Sequence, residues 1–237
     1  MRALLVMFVC LILVGVPVAV YGSTIIWQDN FNEYYEGMPL EESPDWDKIS
    51  TEYGEFIVYV EEEDDLYVVA NYAYIYIASG GANNPEMKVS AGEAEADGPG
   101  DFGASVGVAT RLFYDGSCYL AIYWHRRDFV YGEFQGIEID ACEAGDYPHT
   151  LVSMEIPSSC GSISITASEE NPVHLSAWFG SYHLTYDDYI YNLTGGYGGI
   201  YAECTMGGFS AIDDFSEEEI YNVLQPTSLG HIKTLMR

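Results

Sequence analysis

Two segments at opposite ends of the chain finish in the same Asp-x-Phe chemistry. Near the start stands Trp27-Gln28-Asp29-Asn30-Phe31, followed by Gly37-Met38-Pro39-Leu40 and Trp46. Near the end stands Gly195-Gly196-Tyr197-Gly198-Gly199, then Ala211-Ile212-Asp213-Asp214-Phe215. Matching ends predict first and last strands that lie side by side and close one β domain. Between them the sequence reads as many short strands separated by turn signals. Residues 66–78 are β-rich, with Tyr72, Tyr74 and Tyr76 on one face. Residues 104–114 and 119–125 form a hairpin across Asp115-Gly116. Further strands are expected at 136–142, 150–156, 162–167, 174–182, 184–192, 200–205 and 209–215. The Gly80–Gly103 stretch reads as a long loop. Nothing before residue 215 carries a helical period, and a short helix is expected near 217–224, ended by Pro226. The fold class is all-β: an antiparallel β-sandwich of jelly-roll type.

The domain is bounded by two different tails. Residues 1–22 combine Arg2, an apolar run from Ala3 to Val20 and small residues near Gly22, which reads as a signal peptide; the alternative is a retained anchor. Residues 23–218 are the jelly-roll domain, and residues 219–237 a C-terminal tail or linker. The expected location is therefore secreted, with no membrane span after cleavage.

Charge narrows the partners. Asp and Glu number 37 against 8 Lys and Arg, a formal net charge of −29. Such a surface repels nucleic acid and anionic membranes and favours cations, cationic partners or neutral glycans. Glu61-Glu62-Glu63-Asp64-Asp65 reads as an exposed acidic turn, and Arg126-Arg127 as local neutralisation of nearby acids. Cys118, Cys142, Cys160 and Cys204 remain after the leader, an even count that predicts up to two disulfides with three possible pairings. Asn192-Leu193-Thr194 is an N-glycosylation sequon beside a Gly-rich turn.

The paired ends resemble those of the concanavalin A-like lectin/glucanase superfamily, over about residues 24–218. The resemblance implies a Ca²⁺ where the terminal strands meet, with Asp29 and Asp214 as ligands. Within it, Glu138-Ile139-Asp140-Ala141-Cys142-Glu143 looks like the E-I-D-x-x-E signature of family-16 glycoside hydrolases. That likeness implies Glu138 as nucleophile, Asp140 as helper and Glu143 as acid/base. Strand alternation puts Glu138 and Asp140 on one face but sends Glu143 to the other, unless a β-bulge at Ala141-Cys142 returns it. A retaining pair also needs its carboxyls about 5–5.5 Å apart.

Sugar rings pack on flat aromatic faces, and Trp124, Trp178 and Tyr182 are the candidate platforms. Trp178-Phe179-Gly180-Ser181-Tyr182 has the look of a strand-to-turn boundary where a ring is exposed. Three functions follow. The first is a secreted, calcium-stabilised, non-catalytic module for carbohydrate or a cell-surface partner. The second is a retaining hydrolase of β-glucan-type polysaccharide. The third is a structural or filament-forming subunit that self-associates at strand edges.

Overall fold

The computed structural model of the protein describes residues 21–49, 55–60, 66–70, 74–78, 81, 83–84, 86–98, 103–128, 132–144, 146–157, 160–204 and 208–222. The leader, the Glu61–Asp65 acidic run, Tyr72 and the last fifteen residues lie outside these. Contacts divide the chain into a compact body, Thr24–Glu219, and a small terminal unit. Residues 21–23 and 220–222 of that unit are described, and in it Gly22 lies against the Tyr221 ring.

The body is two antiparallel sheets packed face to face. The first runs in the order β13 (Tyr182–Asp188), β12 (Val173–Phe179), β11 (Cys160–Ser168), β6 (Met87–Asp97), β15 (Phe209–Asn222), β4 (Leu66–Ala70), β3 (Phe56–Val60). As the matching ends predicted, β1 (Tyr21–Asp29) pairs with β15. The second sheet runs β10 (His149–Glu155), β9 (Gly132–Cys142), β8 (Cys118–Asp128), β7 (Ala104–Leu112), β14 (Tyr197–Cys204), β5 (Tyr74–Ala78), β2 (Trp46–Lys48). Among the described residues the only helical element is a 3₁₀ turn at Leu40–Glu42.

The core follows from alternation. Val89, Ile165, Leu175 and Phe215 point inward from the first sheet, and Tyr119, Tyr123, Ile137 and Ile139 from the second. Tyr123 and Phe179 stack across the two sheets, centroids 4.4 Å apart and planes 8° off parallel. Buried aromatic pairs of this kind contribute about 0.5–1.5 kcal/mol beyond the area they remove from water. The Asp115-Gly116 hairpin forms as expected: Gly116 sits at φ +89° and the Phe113 N–H donates to Ser117 O at 2.9 Å.

Two expectations are corrected. The Gly80–Gly103 loop contains the eleven-residue strand β6, because Val89, Ala91, Ala94 and Ala96 supply a buried face made of residues too small to advertise a strand. Residues 217–222, where a helix was expected to begin, are instead the end of β15. There Phe215 and Glu217 are buried while Ser216 and Glu218 face outward, and Lys88 Nζ holds Glu218 at 2.6 Å. Pairing with β6 overrides the helical preference of a Ser-Glu-Glu-Glu run.

Candidate functional site: the cleft between the terminal strands

The end of β1 is locked before it becomes a cleft. Asp29 Oδ1 accepts the Phe31 N–H at 2.7 Å, and Asp29 Oδ2 accepts the Tyr34 hydroxyl at 2.6 Å and Trp46 Nε1–H at 2.7 Å. Trp46 is 2% exposed, so its N–H has no water to turn to. Burial first, then the Asp29 carboxylate, pushes the Tyr34 hydroxyl far above its ordinary pKa, keeping it a donor. Trp46 packs edge-on against Trp27 and Phe215, with centroids 5.2 and 5.1 Å away. This cluster joins the first strand, the 31–45 loop and the last strand.

Above it opens a cleft of about 620 Å³, lined by Trp27, Asn30, Glu33, Asp45, Asp214 and Ser216 among others. Asp29 and Asp214 thus border one depression. Asp214 is exposed and stands at φ +53°, with its N–H on Asp213 Oδ1 at 2.7 Å. Gly92 lies across from it on β6, where a Cβ would meet Asp214 Cβ at 2.7 Å.

A calcium ion held by Asp29 and Asp214 would have to share the Asp29 carboxylate with the fold. Ca²⁺ takes six to eight oxygen ligands. The Asp29 carboxylate is committed to three donors of its own fold, and no group of three His, Cys, Asp or Glu among the described residues is placed to hold a metal.

The acidic strand behaves differently. Glu138 and Asp140 share the outer face of β9, opposite Ile122 and Leu120 of β8. Burial first, then the Asp140 charge, raises the Glu138 carboxyl to about 7; burial raises Asp140 to about 6, and the Thr150 hydroxyl bonds both. Asp140 is 3% exposed, and its Oδ1 has no hydrogen-bond partner. The β8–β9 ladder runs without a break to Cys142, so the bulge that would return Glu143 to this face is absent. Glu143 is exposed just past the strand end. The irregularity lies instead on β10, between Thr150 and Val152. A second apolar cluster (Leu120, Ile122, Cys142 and Tyr201, with Ile49 against it) fills this outer face.

The aromatic candidates do not converge. Trp124 is half-buried over Gly136 on the second sheet, where a glycine Cβ would meet its ring at 2.6 Å. Trp178 is 44% exposed on the first sheet, beside the β12–β13 hairpin. Tyr182 packs against the core. Among the described residues no disulfide is formed, where up to two were expected. Cys118 and Cys142 are adjacent and buried; Cys160 is exposed on the first sheet, and Cys204 turns into the core from the second. Arg127 pairs with Glu133 at 2.9 Å and Asp97 at 3.5 Å, the local neutralisation read from the sequence.

Asn192 is exposed in a loop built around buried polar groups. Asp188 accepts the N–H groups of Ile190, Tyr191 and Asn192 and the Tyr119 hydroxyl. Tyr119 in turn accepts the Leu193 N–H, and Arg111 donates to Leu193 O and Glu169 O. Neither this network nor the role of Trp27 and Ser216 in the cleft was legible in the sequence. The one available signal was Trp27 lying two residues before Asp29, which places both on one strand face.

No family model and no curated protein matches the chain. Solved structures do. The CBM2 module of Lactobacillus casei BL23 phage J-1 evolved Dit aligns at TM-score 0.51 and 12% identity, over 86% of this chain and 98% of that one. The chain shares with it the fold, an antiparallel β-sandwich of jelly-roll type. Weaker matches to this jelly roll include the VIP36 exoplasmic/lumenal domain in its Ca²⁺/Man3GlcNAc-bound form, at TM-score 0.47 and 9% identity over 83% and 92% of the two chains. Another is the lectin from Bauhinia forficata in complex with GalNAc, at TM-score 0.44 and 7% identity over 86% and 99%. No helix among the described residues is long and apolar enough to cross a membrane.

Proposed function

We propose that this jelly roll is a secreted carbohydrate-binding module and that the cleft between β1 and β15 is its sugar site. One observation carries the reading: a cleft of about 620 Å³ that combines the half-buried indole of Trp27 with the short polar side chains of Asn30, Asp45, Asp214 and Ser216. Its volume lies within the roughly 300–1,000 Å³ of small-molecule sites. A pyranose has an apolar C–H face and a rim of hydroxyls, and this lining offers a surface for each. The rigid Asp29–Tyr34–Trp46 frame holds the indole in place, which lowers the ordering cost of binding. The likeness of the fold to a CBM2 module is in keeping with it.

Placement of the carboxyls favours binding over hydrolysis. Glycoside hydrolysis needs two carboxyls flanking the scissile bond. Asp140 is buried, Glu143 has left the face, and an apolar cluster covers the surface beside Glu138. The test is calorimetric titration with disaccharides and oligosaccharides. Trp27→Ala and Asp45→Ala are expected to weaken binding at least about tenfold, or about 1.4 kcal/mol. Asp45 is exposed, so its variant separates lost binding from lost folding. Unchanged affinity in both, or release of reducing sugar that Glu138→Gln abolishes, overturns the reading.

A further inference from the structure

On the outer face of the first sheet a row of neighbouring side chains leads away from the cleft. Ser216 on β15 is paired with Ser90 on β6, Ser90 with Ser164 on β11, Ser164 with Trp178 on β12, and Trp178 with His183 on β13. Alternation turns all five outward, because their neighbours Phe215, Val89, Ile165, Ala177 and Leu184 are buried. Ser216 itself lines the cleft. The row therefore starts inside the proposed sugar site and crosses three inter-strand gaps to Trp178, a span of about 14 Å at roughly 4.8 Å per strand.

The far end is built as a wall. The indole of Trp178 stacks on the His183 imidazole at 3.9 Å between centroids and 12° between planes, and Ser176 Oγ holds His183 Nε2 at 2.8 Å. His183 comes from β13, so it covers the indole face turned toward that strand. The opposite face is turned toward β11, over Ser164. The floor is hydroxyl: Ser90 and Ser216 share a hydrogen bond at 2.9 Å, and Thr166 and Ser176 continue the polar surface in the next row. The charges of that row, Lys88 and Glu218, are bonded to each other at 2.6 Å. Trp178 stays 44% exposed while stacked on its cross-strand partner, which leaves ring surface for a ligand.

We propose that this row is an extended subsite on which an uncharged polysaccharide chain lies across the strands, from the cleft at Ser216 to the free face of Trp178. The inference rests on the sugar-binding reading of the cleft and extends it from a single ring to a polymer. Hydroxyls at strand spacing satisfy sugar hydroxyls as either donor or acceptor, and the indole takes the C–H face of a ring at the end of the track. An anionic polymer is disfavoured by the net charge of −29.

The experiment compares wild type, Trp178→Ala, Trp178→Phe, Ser164→Arg and Trp27→Ala against laminarin, hydroxyethyl cellulose and soluble starch. Each is titrated in parallel against the matching disaccharides, with circular dichroism as a folding control. Trp178→Ala and Ser164→Arg are expected to lose about tenfold or more in affinity for the preferred polymer while disaccharide affinity stays within twofold. Trp178→Phe is expected to recover part of the loss. Polymer affinity unchanged in Trp178→Ala and Ser164→Arg, with Trp27→Ala impaired, overturns this subsite and leaves the cleft standing. Failure of wild type to bind any of the glycans overturns both. A wild-type dimer in sedimentation that Trp178→Ala converts to monomer overturns the subsite in favour of a protein contact.

Discussion

Cys118 and Cys142 stand directly opposite each other on β8 and β9, both buried, with their thiols in hydrogen-bond contact. Opposed residues of an antiparallel pair have Cα atoms about 4.5–5.5 Å apart, inside the range a disulfide requires. The bond to Cys142, then burial, pushes the Cys118 thiol well above its ordinary pKa, so the folded protein oxidises slowly. Refolding with oxidised glutathione is therefore expected to join 118 to 142. The two thiols give up two protons and two electrons, and glutathione disulfide becomes two glutathione thiols. Peptide mapping should find this bridge, and Tm should rise with about 2–4 kcal/mol of stabilisation. A bridge from Cys118 or Cys142 to Cys160 or Cys204 contradicts the register.

The carboxyls on β9 make stability depend on pH in a definite direction. Glu138 and Asp140 titrate at about 7 and about 6 in the folded protein, above their ordinary values of 4.5 and 3.8. Their contribution is fully present below the unfolded values and is lost as pH rises through 6 and 7. Tm is expected to fall between pH 5 and pH 8. Discounted for the partial exposure of Glu138, the two groups account for about 2–3 kcal/mol. Asp188 works the other way. Burial alone would raise its pKa, but the Tyr119 hydroxyl and three backbone N–H groups hold it below 3.8, so its stabilisation is lost only in stronger acid. The double variant Glu138→Gln, Asp140→Asn should be flatter across pH 5–8 and more stable than wild type at pH 8. Thermal melts at half-unit pH steps decide; a double variant that tracks wild type contradicts the assignment.

Asp29 is tied into the frame of the cleft by three donors. Asp29→Ala leaves the buried Trp46 N–H and the Phe31 N–H without acceptors, an expected loss of about 2–4 kcal/mol. At roughly 2–4 °C per kcal/mol this is on the order of 4–16 °C in Tm. EDTA or added calcium should leave the wild-type Tm within 1 °C (roughly the scatter of a melt). A calcium-dependent rise that Asp214→Ala removes would restore the metal.

Gly196 and Gly37 separate backbone strain from steric clash. Both have positive φ, +116° and +82°. A Cβ on Gly196 would lie 2.4 Å from the Arg111 carbonyl carbon, whereas one on Gly37 meets nothing within 4 Å. Gly37→Ala is expected to cost about 1 kcal/mol and Gly196→Ala at least about 3 kcal/mol. Denaturant melts of the two variants give the comparison; equal losses would mean that Arg111 yields.

Strand-forming segments and their turns were readable where side chains alternate in size and polarity. The Asp115-Gly116 hairpin and the pairing of the terminal strands are such cases. The β6 strand was not, because its buried face is largely alanine, and the end of β15 was not, because a run of acids favours helix until a neighbouring strand pairs with it. The cleft was half readable: Asp29 and Asp214 were found, but Trp27, Asp45 and Ser216 join them only through the closing of β1 on β15.

Local chemistry fixed what alternation and turn residues can fix: an all-β sandwich, the sharing of one face by Glu138 and Asp140, and an exposed ring beside Gly180. Tertiary packing decided the rest. An unbroken ladder left Glu143 beyond the strand, a second apolar cluster covered the acidic face, and the pairing of β2 into the second sheet brought the Trp46 N–H to the Asp29 carboxylate, which already held the nearby Phe31 N–H and Tyr34 hydroxyl. Each outcome depends on which strands become neighbours, and neighbours are set by burial of the whole core rather than by the residues of any one segment.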